Sequence, residues 1–153
     1  MADNQRSLVI IKPDAVERGL TGEILARYER RGLRIAAMKL EVVSREKAER
    51  HYAEHHGKPF FAGLVDYITS SPSAVLILEG PDAIGVVRTM NGATRPAEAA
   101  PGTIRGDFGL TVGRNLVHAS DSVESAAREV TIFFDAGAAL DYERAIDPWI
   151  VDA

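Results

Sequence analysis

Cysteine is absent from all 153 residues, which excludes disulfides, a thiolate nucleophile and cysteine-ligated zinc, and suits a reducing compartment. Long apolar runs are absent too. Leu8 to Ile11 meets Lys12 after four residues, far short of the roughly 20 that a membrane helix needs and too short for a signal peptide's apolar stretch. A cytoplasmic setting is the expectation. Positive charge is not concentrated anywhere: 14 arginines and four lysines are scattered through a chain of formal net charge -4, with no polybasic run suited to duplex nucleic acid. Small partners are therefore expected. Two phosphate-binding signatures are missing as well. "GPDAIGVV", Gly80 to Val87, has the two-glycine spacing of a Walker A loop without the Lys-Ser/Thr that follows it, and "RGDFGLTVG" has no G-x-G-x-x-G register. Any bound phosphate must be held by arginines and lysines.

A chain of this length is expected to form one domain, residues 1–153, burying about 70% of its unfolded surface in a single core. "SLVIIKPD" is β-branched and apolar until Lys12-Pro13, and reads as a central strand that delivers a lysine to its carboxyl end. Leu20, Ile24, Leu25 and Tyr28 recur at helical spacing up to Gly32, and "LRIAAMKLEVV" then alternates as a second strand. Ser44 suits the cap of a helix with Ala48, Tyr52 and His55 on one face, and Pro59 the first turn of another carrying Phe60, Leu64 and Ile68. "SAVLILEG" predicts a third strand, Pro81 begins a helix through Arg88 and Met90, and "SDSVESAAREV" is helical before "TIFF" as a fourth strand. Between them Gly92 to Val117 keeps no period and exceeds an ordinary connection, as functional loops do. The order β-α-β-β-α-β, with extra helices inserted, predicts a ferredoxin-like α+β fold: a four-stranded antiparallel sheet covered by helices on one face. A parallel doubly wound sheet is disfavoured, because no strand ends in a glycine fingerprint.

Two histidine patterns carry chemistry. His51-Tyr52-Ala53-Glu54-His55 fits H-x-x-E-H, an inverted zinc-peptidase signature that sets two imidazoles on one helical face beside a glutamate. The alternative is a solvated helix, since His51 lies in a charged stretch. The other pattern is "RNLVHASD", where His118 stands apart from the remaining three histidines. A nucleophilic histidine needs one ring nitrogen free and the other held by an acceptor. Glu129 lies eleven residues on; with Ser120 at a helix N-cap near Asp121, the chain can bring that carboxylate back to the imidazole. A loop histidine satisfied by its own backbone fits the spacing equally well. Phe60 reads either as a core residue or as an exposed ring, adjacent Phe61 facing the other way.

Four blocks, "KPDAVERGLTGEI" from Lys12, "HYAEHHGKPFFAGL" to Leu64, "GATRPAEAAPGTIRGDFG" to Gly109 and "GRNLVHASDSVESAAREV" to Val130, together resemble the nucleoside diphosphate kinase family over nearly the whole chain. The resemblance implies a ping-pong exchange with Mg2+, in which His118 takes the terminal phosphoryl of a nucleoside triphosphate, mainly ATP, and passes it to any nucleoside diphosphate. It implies that Arg88, Thr94 and Arg105 clamp the phosphates, and that Lys12 and Asn115 contact the sugar hydroxyls and phosphate chain. Phe60 matches the ring on which the base stacks, with Leu64 and Val112 along the same wall. Tyr52 and Glu129 match the residues that support the histidine, Ser120 the hydroxyl beside it, and His55 a side chain near the phosphates. Such equipment suits phosphoryl transfer, which rests on positioning and on stabilising charge. Magnesium commonly sits between substrate phosphates with waters retained, so no protein cage is expected, and Asp121 reads equally as the holder of a metal-bound water or as a carboxylate at a helix N-terminus.

Two departures matter. Family members usually have glycine after the histidine, where this chain has Ala119; if that position requires positive φ, alanine costs roughly 1 kcal/mol. The tail "DPWIVDA" keeps Trp149 and differs from common family endings. The resemblance implies a homohexamer, or a tetramer as in some bacterial members, with "TRPAEAAPG" around Pro96 at subunit contacts. Two rival readings have clear discriminators: a zinc peptidase is inhibited by chelators without nucleotide dependence, and a scaffold that has lost catalysis binds ADP without exchange.

Overall fold

The computed structural model describes residues 4–152. Strand β1 (Asn4–Ile11) leaves its first residues half-exposed and buries every residue from Ser7 to Ile11. Pro13 then starts a short helix, α1 (Pro13–Glu17), which the sequence pattern did not reveal. Helix α2 (Thr21–Arg31) buries Ile24 and Tyr28 one turn apart, and ends at Gly32, whose φ of 105° suits glycine and lets its N–H return to Glu29 O. Strand β2 (Arg34–Glu41) follows. Helix α3 (Arg45–His51) is capped as expected, the Ser44 hydroxyl accepting from Lys47 N at 3.2 Å. After a tight turn at Ala53–His55 come α4 (Phe61–Ile68), β3 (Ser73–Pro81) and α5 (Ala83–Asn91). The long irregular segment contains α6 (Ile104–Phe108), and the chain closes with β4 (Val117–Ala119) and α7 (Val123–Phe133).

The strands form one sheet in the order β2-β3-β1-β4, every neighbouring pair antiparallel. This is the ferredoxin-like α+β arrangement. Its fourth strand is not the one the sequence suggested. "TIFF" continues α7, because Ile132 and Phe133 extend the buried helical series of Ala126 and Glu129. The fourth strand is instead "VHA", three residues against Ile11, Ile10 and Val9. Three residues show no alternation to read. The cap of α7 is Ser122, which accepts from Ser125 N at 3.0 Å, so Ser120 is free of that task. Pro81 ends β3 and does not open α5.

Helices also cover both faces of the sheet, where one was expected. Val9, Ile11, Leu76 and Leu78 pack with Ile24 and Tyr28 of α2, Val87 of α5 and Ile104 of α6. Leu8, Ile10, Val75 and Ile77 point the other way, onto Ala48 of α3, Val65 and Ile68 of α4, and Phe133 of α7. Alternation along a strand sends successive side chains to opposite faces, and here each face meets a helical layer. Each such Leu, Ile or Val contributes about 1.5–3 kcal/mol by leaving water. The inserted helices α3 and α4, with α7, thus make the second layer. The tail is tied down by Arg144, which donates to Gly32 O at 2.9 Å and Leu33 O at 3.1 Å and pairs with Asp147 at 2.8 Å. Trp149 stays 90% exposed. Among the described residues no helix is long and apolar enough to cross a membrane.

The Ser44 cap is worth an amount that can be measured. Ser44→Ala leaves one backbone donor of α3 without its partner and should cost about 1 kcal/mol, lowering Tm by about 2–4 °C in a protein of this size. Thermal unfolding followed by circular dichroism reads it, and an unchanged Tm would mean that the cap is replaced by water without loss.

Candidate active site

Strand β4 lies at the edge of the sheet, so its residues are reached from both helical layers. His118 pairs with Ile10 and shares the face of α3 and α7, whereas Val117 and Ala119 belong to the opposite core with α5 and α6. A cavity of about 230 Å³ opens at this edge, and it brings together Lys12, Arg88, Thr94, Arg105, Asn115, Asp121, His118 and Glu129. These were eight of the residues singled out in the sequence. They come from the carboxyl end of β1, from β4 and both its flanks, from α5, α6 and α7, and from the irregular segment.

On one side of His118 is an acceptor. Its Nε2 lies 3.0 Å from Glu129 Oε1, and the same oxygen accepts from the Ser120 hydroxyl at 2.8 Å. Ser120 in turn accepts from Leu8 N at 3.0 Å, tying this group to the central strand. Glu129 sits on the inward face of α7 and is buried. A carboxylate only accepts, so the proton of the neutral imidazole belongs on Nε2. That leaves Nδ1 as the lone pair, without a hydrogen-bond partner among the described residues.

The other side is cationic. Arg105 is buried and spends three N–H groups on backbone carbonyls: Asn115 O at 3.0 Å, Gly92 O at 2.8 Å and Val117 O at 2.6 Å. Gly92 has φ 86°, and a side chain there would run into Thr103. Between two of those carbonyls Leu116 adopts φ 74°, left-handed for a buried leucine. Its N–H donates to Asp14 Oδ2 at 3.1 Å and its carbonyl accepts from Lys12 N at 2.8 Å. Lys12 Nζ donates to Asn115 Oδ1 at 2.9 Å, and Asn115 Nδ2 to Thr94 O at 3.1 Å. Among the described residues Arg88 makes one long hydrogen bond, 3.5 Å to Ala119 O.

Electrostatics follow from this crowding. Burial, then the charge of Arg105, push the Lys12 ammonium down to about 8, with Asp14 opposing. Burial also lowers the Arg105 pKa; Tyr28 opposes this and Arg88 adds to it. An incoming polyanion relieves both strains. Asp121 is held low mainly by its hydrogen bond from Ser125, and further by Arg88, so it stays ionised at the cavity mouth.

The remaining expected residues lie outside the cavity lining. Phe60 is 51% exposed and Val112 48%, with Leu64 half-buried one turn after Phe60. Phe60 is thus no core residue; Phe61 is the one that packs inward, against the second core. His55 lies between, its ring 5.2 Å from Phe60 and 6.5 Å from Tyr52. The Tyr52 hydroxyl makes no hydrogen bond to His118 or Glu129 among the described residues. Burial, then the nearness of Glu129, raise it to about 12.

Two expectations need correction. α3 ends at His51, so Tyr52 and His55 do not continue one helical face, and H-x-x-E-H does not assemble its zinc geometry. Nor is His51 solvated. It is 5% exposed, and its ring stands 4.5 Å from that of His118 at 88°. The available signal was its position three residues after buried Ala48. The second correction concerns Ala119, which lies in β4 and is not among the positive-φ residues, so it carries no strain of that kind. His51, His118 and Glu129 do bring three ligand-type atoms within 4.8 Å of one another. Lys12 and Arg128 beside them oppose a bound cation there.

Comparison with known proteins gives the family. The family model described as nucleoside diphosphate kinase matches residues 5–138. The chain is 59% identical to a nucleoside diphosphate kinase of Archaeoglobus fulgidus over 148 residues, covering 97% of this chain and 98% of the relative. It is 57% identical to one of Pyrococcus horikoshii over 150 residues, 96% of each. Among solved structures, a halophilic nucleoside diphosphate kinase from Halobacterium salinarum in complex with CDP superposes with a TM-score of 0.95 at 44% identity, covering 98% of this chain and all (100%) of that one. A family protein from Babesia bovis gives 0.94 at 46%, covering 96% and 99%. With a cationic cavity built around one histidine and matches of this extent, the chain belongs to the nucleoside diphosphate kinase family, a family of phosphotransferases.

Proposed function

We propose that His118 carries the phosphoryl group between nucleotides in two half-reactions. The observation that carries this reading is the hydrogen bond from His118 Nε2 to Glu129 Oε1 at 3.0 Å, on a ring that lines the cavity. In the first half-reaction the Nδ1 lone pair forms a bond to the terminal phosphorus of a nucleoside triphosphate, mainly ATP. The bond from that phosphorus to the bridging oxygen breaks, and the nucleoside diphosphate leaves with its electron pair. The Nε2 proton stays where it is, shared with Glu129, which stabilises the charge that develops on the ring. In the second, a terminal oxygen of another nucleoside diphosphate takes the phosphoryl and Nδ1 recovers its pair.

Arg88, Arg105 and Lys12 hold the phosphate oxygens, with Thr94 and Asn115 completing the clamp and Lys12 and Asn115 also reaching the sugar hydroxyls. His55 lies near the same phosphates. Magnesium would suit this site: it would neutralise phosphate charge, and Asp121, held ionised in the cavity lining, would accept a hydrogen bond from one of its waters. Phe60, half exposed, is the proposed stacking platform, with Leu64 and Val112 beside it. A π-face accepts any base, so broad specificity is the expectation. All 153 residues act as one catalytic domain in the cytoplasm, a setting that the absence of cysteine suits. The exposed apolar side chains Met38 and Leu40 on edge strand β2, with Val42 just after it, support assembly with further copies. Light scattering distinguishes the homohexamer proposed here from a tetramer.

Incubated with ATP and magnesium alone, the protein should gain one phosphoryl per chain. The adduct should be labile in acid and stable in base, and any nucleoside diphosphate should discharge it. His118→Asn should abolish both steps. Intact mass and peptide mapping decide: label on Ser120, or in His118→Asn, would sink the mechanism, and discharge by one base alone would sink the platform.

The two arginines should separate. Arg88→Ala removes a group with little role in holding the fold, so transfer should slow by roughly two to three orders of magnitude with Tm nearly unchanged. Arg105→Ala should slow it as much and also cost about 3 kcal/mol or more, because three buried carbonyls lose a charged donor. Equal Tm for the two variants would contradict this division.

Lys12 sets the pH response of binding. Its pKa of about 8 in the free protein rises when phosphate approaches, so binding takes up a proton wherever free Lys12 is partly neutral. ADP affinity is therefore full at lower pH and weakens as pH rises through about 8, by up to about tenfold per pH unit. Calorimetry in buffers of different ionisation enthalpy reads the uptake, and Lys12→Arg should flatten the profile. Binding without proton uptake above pH 8 would place Lys12 away from the phosphates.

A further inference from the structure

We propose that His51 is a positioning residue for phosphoryl transfer: its ring, set edge-to-face against His118, fixes the plane of that imidazole so that Nδ1 meets the phosphoryl group. This rests on the phosphohistidine reading above.

The hydrogen bond from Nε2 to Glu129 fixes one point of the His118 ring and leaves rotation about that point. The last torsion of a histidine is broad and roughly two-fold, so packing must supply the second constraint. His51 supplies it. Its ring centroid is 4.5 Å from that of His118 with the planes at 88°, the edge-to-face arrangement that aromatic pairs prefer. His51 is held in place in turn by Tyr52, at 4.7 Å and 61°, and by Phe133, at 5.4 Å and 72°. His51 is the last residue of α3, and the two rings that hold it belong to the residue after that helix and to α7, so both helices that reach the proposed nucleophile's face meet at this ring.

His51 also has no hydrogen-bonding task that would explain its burial. Its Nδ1 is buried with no partner among the described residues, although buried polar groups are nearly always paired. A side chain kept for hydrogen bonding would show the bond; one kept for shape need not. Burial, and then His118, Lys12, Arg128 and His55, hold its pKa well below the usual histidine value. The ring therefore stays neutral beside His118 and does not repel the charge that forms there. The same chain of rings runs on through Tyr52 and His55 to Phe60, joining the proposed transfer site to the proposed base platform by direct contact.

The test separates ring from nitrogen. His51→Phe keeps a flat ring and loses the nitrogens; His51→Asn keeps a polar group and loses the ring; His51→Ala loses both. Each is charged with ATP and magnesium in a single turnover. The isomer is read by phosphorus and proton–nitrogen NMR, with Tm and the KM for ADP measured alongside. The parent and His51→Phe should carry phosphate on Nδ1 alone and react at rates within about threefold of each other. His51→Asn and His51→Ala should react about 10–100-fold more slowly, the scale of a misplaced reacting group. Their KM should be unchanged, and a measurable fraction of their phosphate should sit on Nε2. Loss of stability by itself cannot change which nitrogen is labelled. Should His51→Ala fail to fold, the comparison of Phe with Asn decides alone. The role is overturned if His51→Asn labels Nδ1 at the parent rate, or if His51→Phe is as slow and as mixed as His51→Asn. A parent enzyme that takes no phosphoryl on His118 would overturn the phosphohistidine reading itself, which is a different result.

Discussion

The site depends on one guanidinium. Arg105 donates to the carbonyls of Asn115 and Val117 on either side of Leu116, and to that of Gly92. A leucine with positive φ costs of order 1–2 kcal/mol, and it persists because its neighbours over-determine it. Arg105 binds both flanking carbonyls, Asp14 accepts the Leu116 N–H, and Lys12 N donates to the Leu116 carbonyl. The reversal at Leu116 is what lets a three-residue strand pair with β1 immediately afterwards and set His118 opposite Ile10. A cation that could bind substrate is thus also the fastener of the loop that carries the histidine.

The edge position of β4 explains how one imidazole meets two unlike environments. The layer of α3 and α7 supplies Glu129, Ser120 from the adjoining turn, and the rings of His51 and Phe133. The layer of α5 and α6, with the end of β1, supplies Arg88, Arg105 and Lys12. A central strand would have had a neighbour where the cavity now lies. Acceptor on one ring nitrogen and cations around the space in front of the other make a polarity that suits accepting a phosphoryl group and returning it. The chemistry proposed here needs no group to leave or enter the chain except that phosphoryl.

Much of this was legible in the residues alone. The apolar runs of β1, β2 and β3, the Gly32 stop and the Ser44 cap are local signals, and each produced its element. The missing Walker and Rossmann loops said only that any phosphate must be held by arginines and lysines; it was the family resemblance that assigned Lys12, Arg88, Arg105 and Asn115 to that task. "TIFF" misled because β-branched and aromatic residues read as strand, while the buried spacing of Ala126, Glu129, Ile132 and Phe133 is helical and takes precedence when a helix packs on a sheet. "VHA" was missed because pairing at an edge is decided by the partner strand. His51 was misjudged because the charged residues around it occupy the solvent side of α3, and its own side is apolar only through residues far away in sequence.

By itself the sequence determined the family, through four long blocks of resemblance, and the antiparallel α+β class, through residue type and short-range periodicity. Tertiary structure decided what each group faces. It made Nε2 the nitrogen bound to Glu129, moved Ser120 from a helix cap to a carboxylate partner, relieved Ala119 of strain, and turned His51 from a solvent-facing residue into a neighbour of His118. Each of these is a contact across 9 to 112 residues of chain or a backbone angle imposed by such contacts, and local sequence holds no record of either.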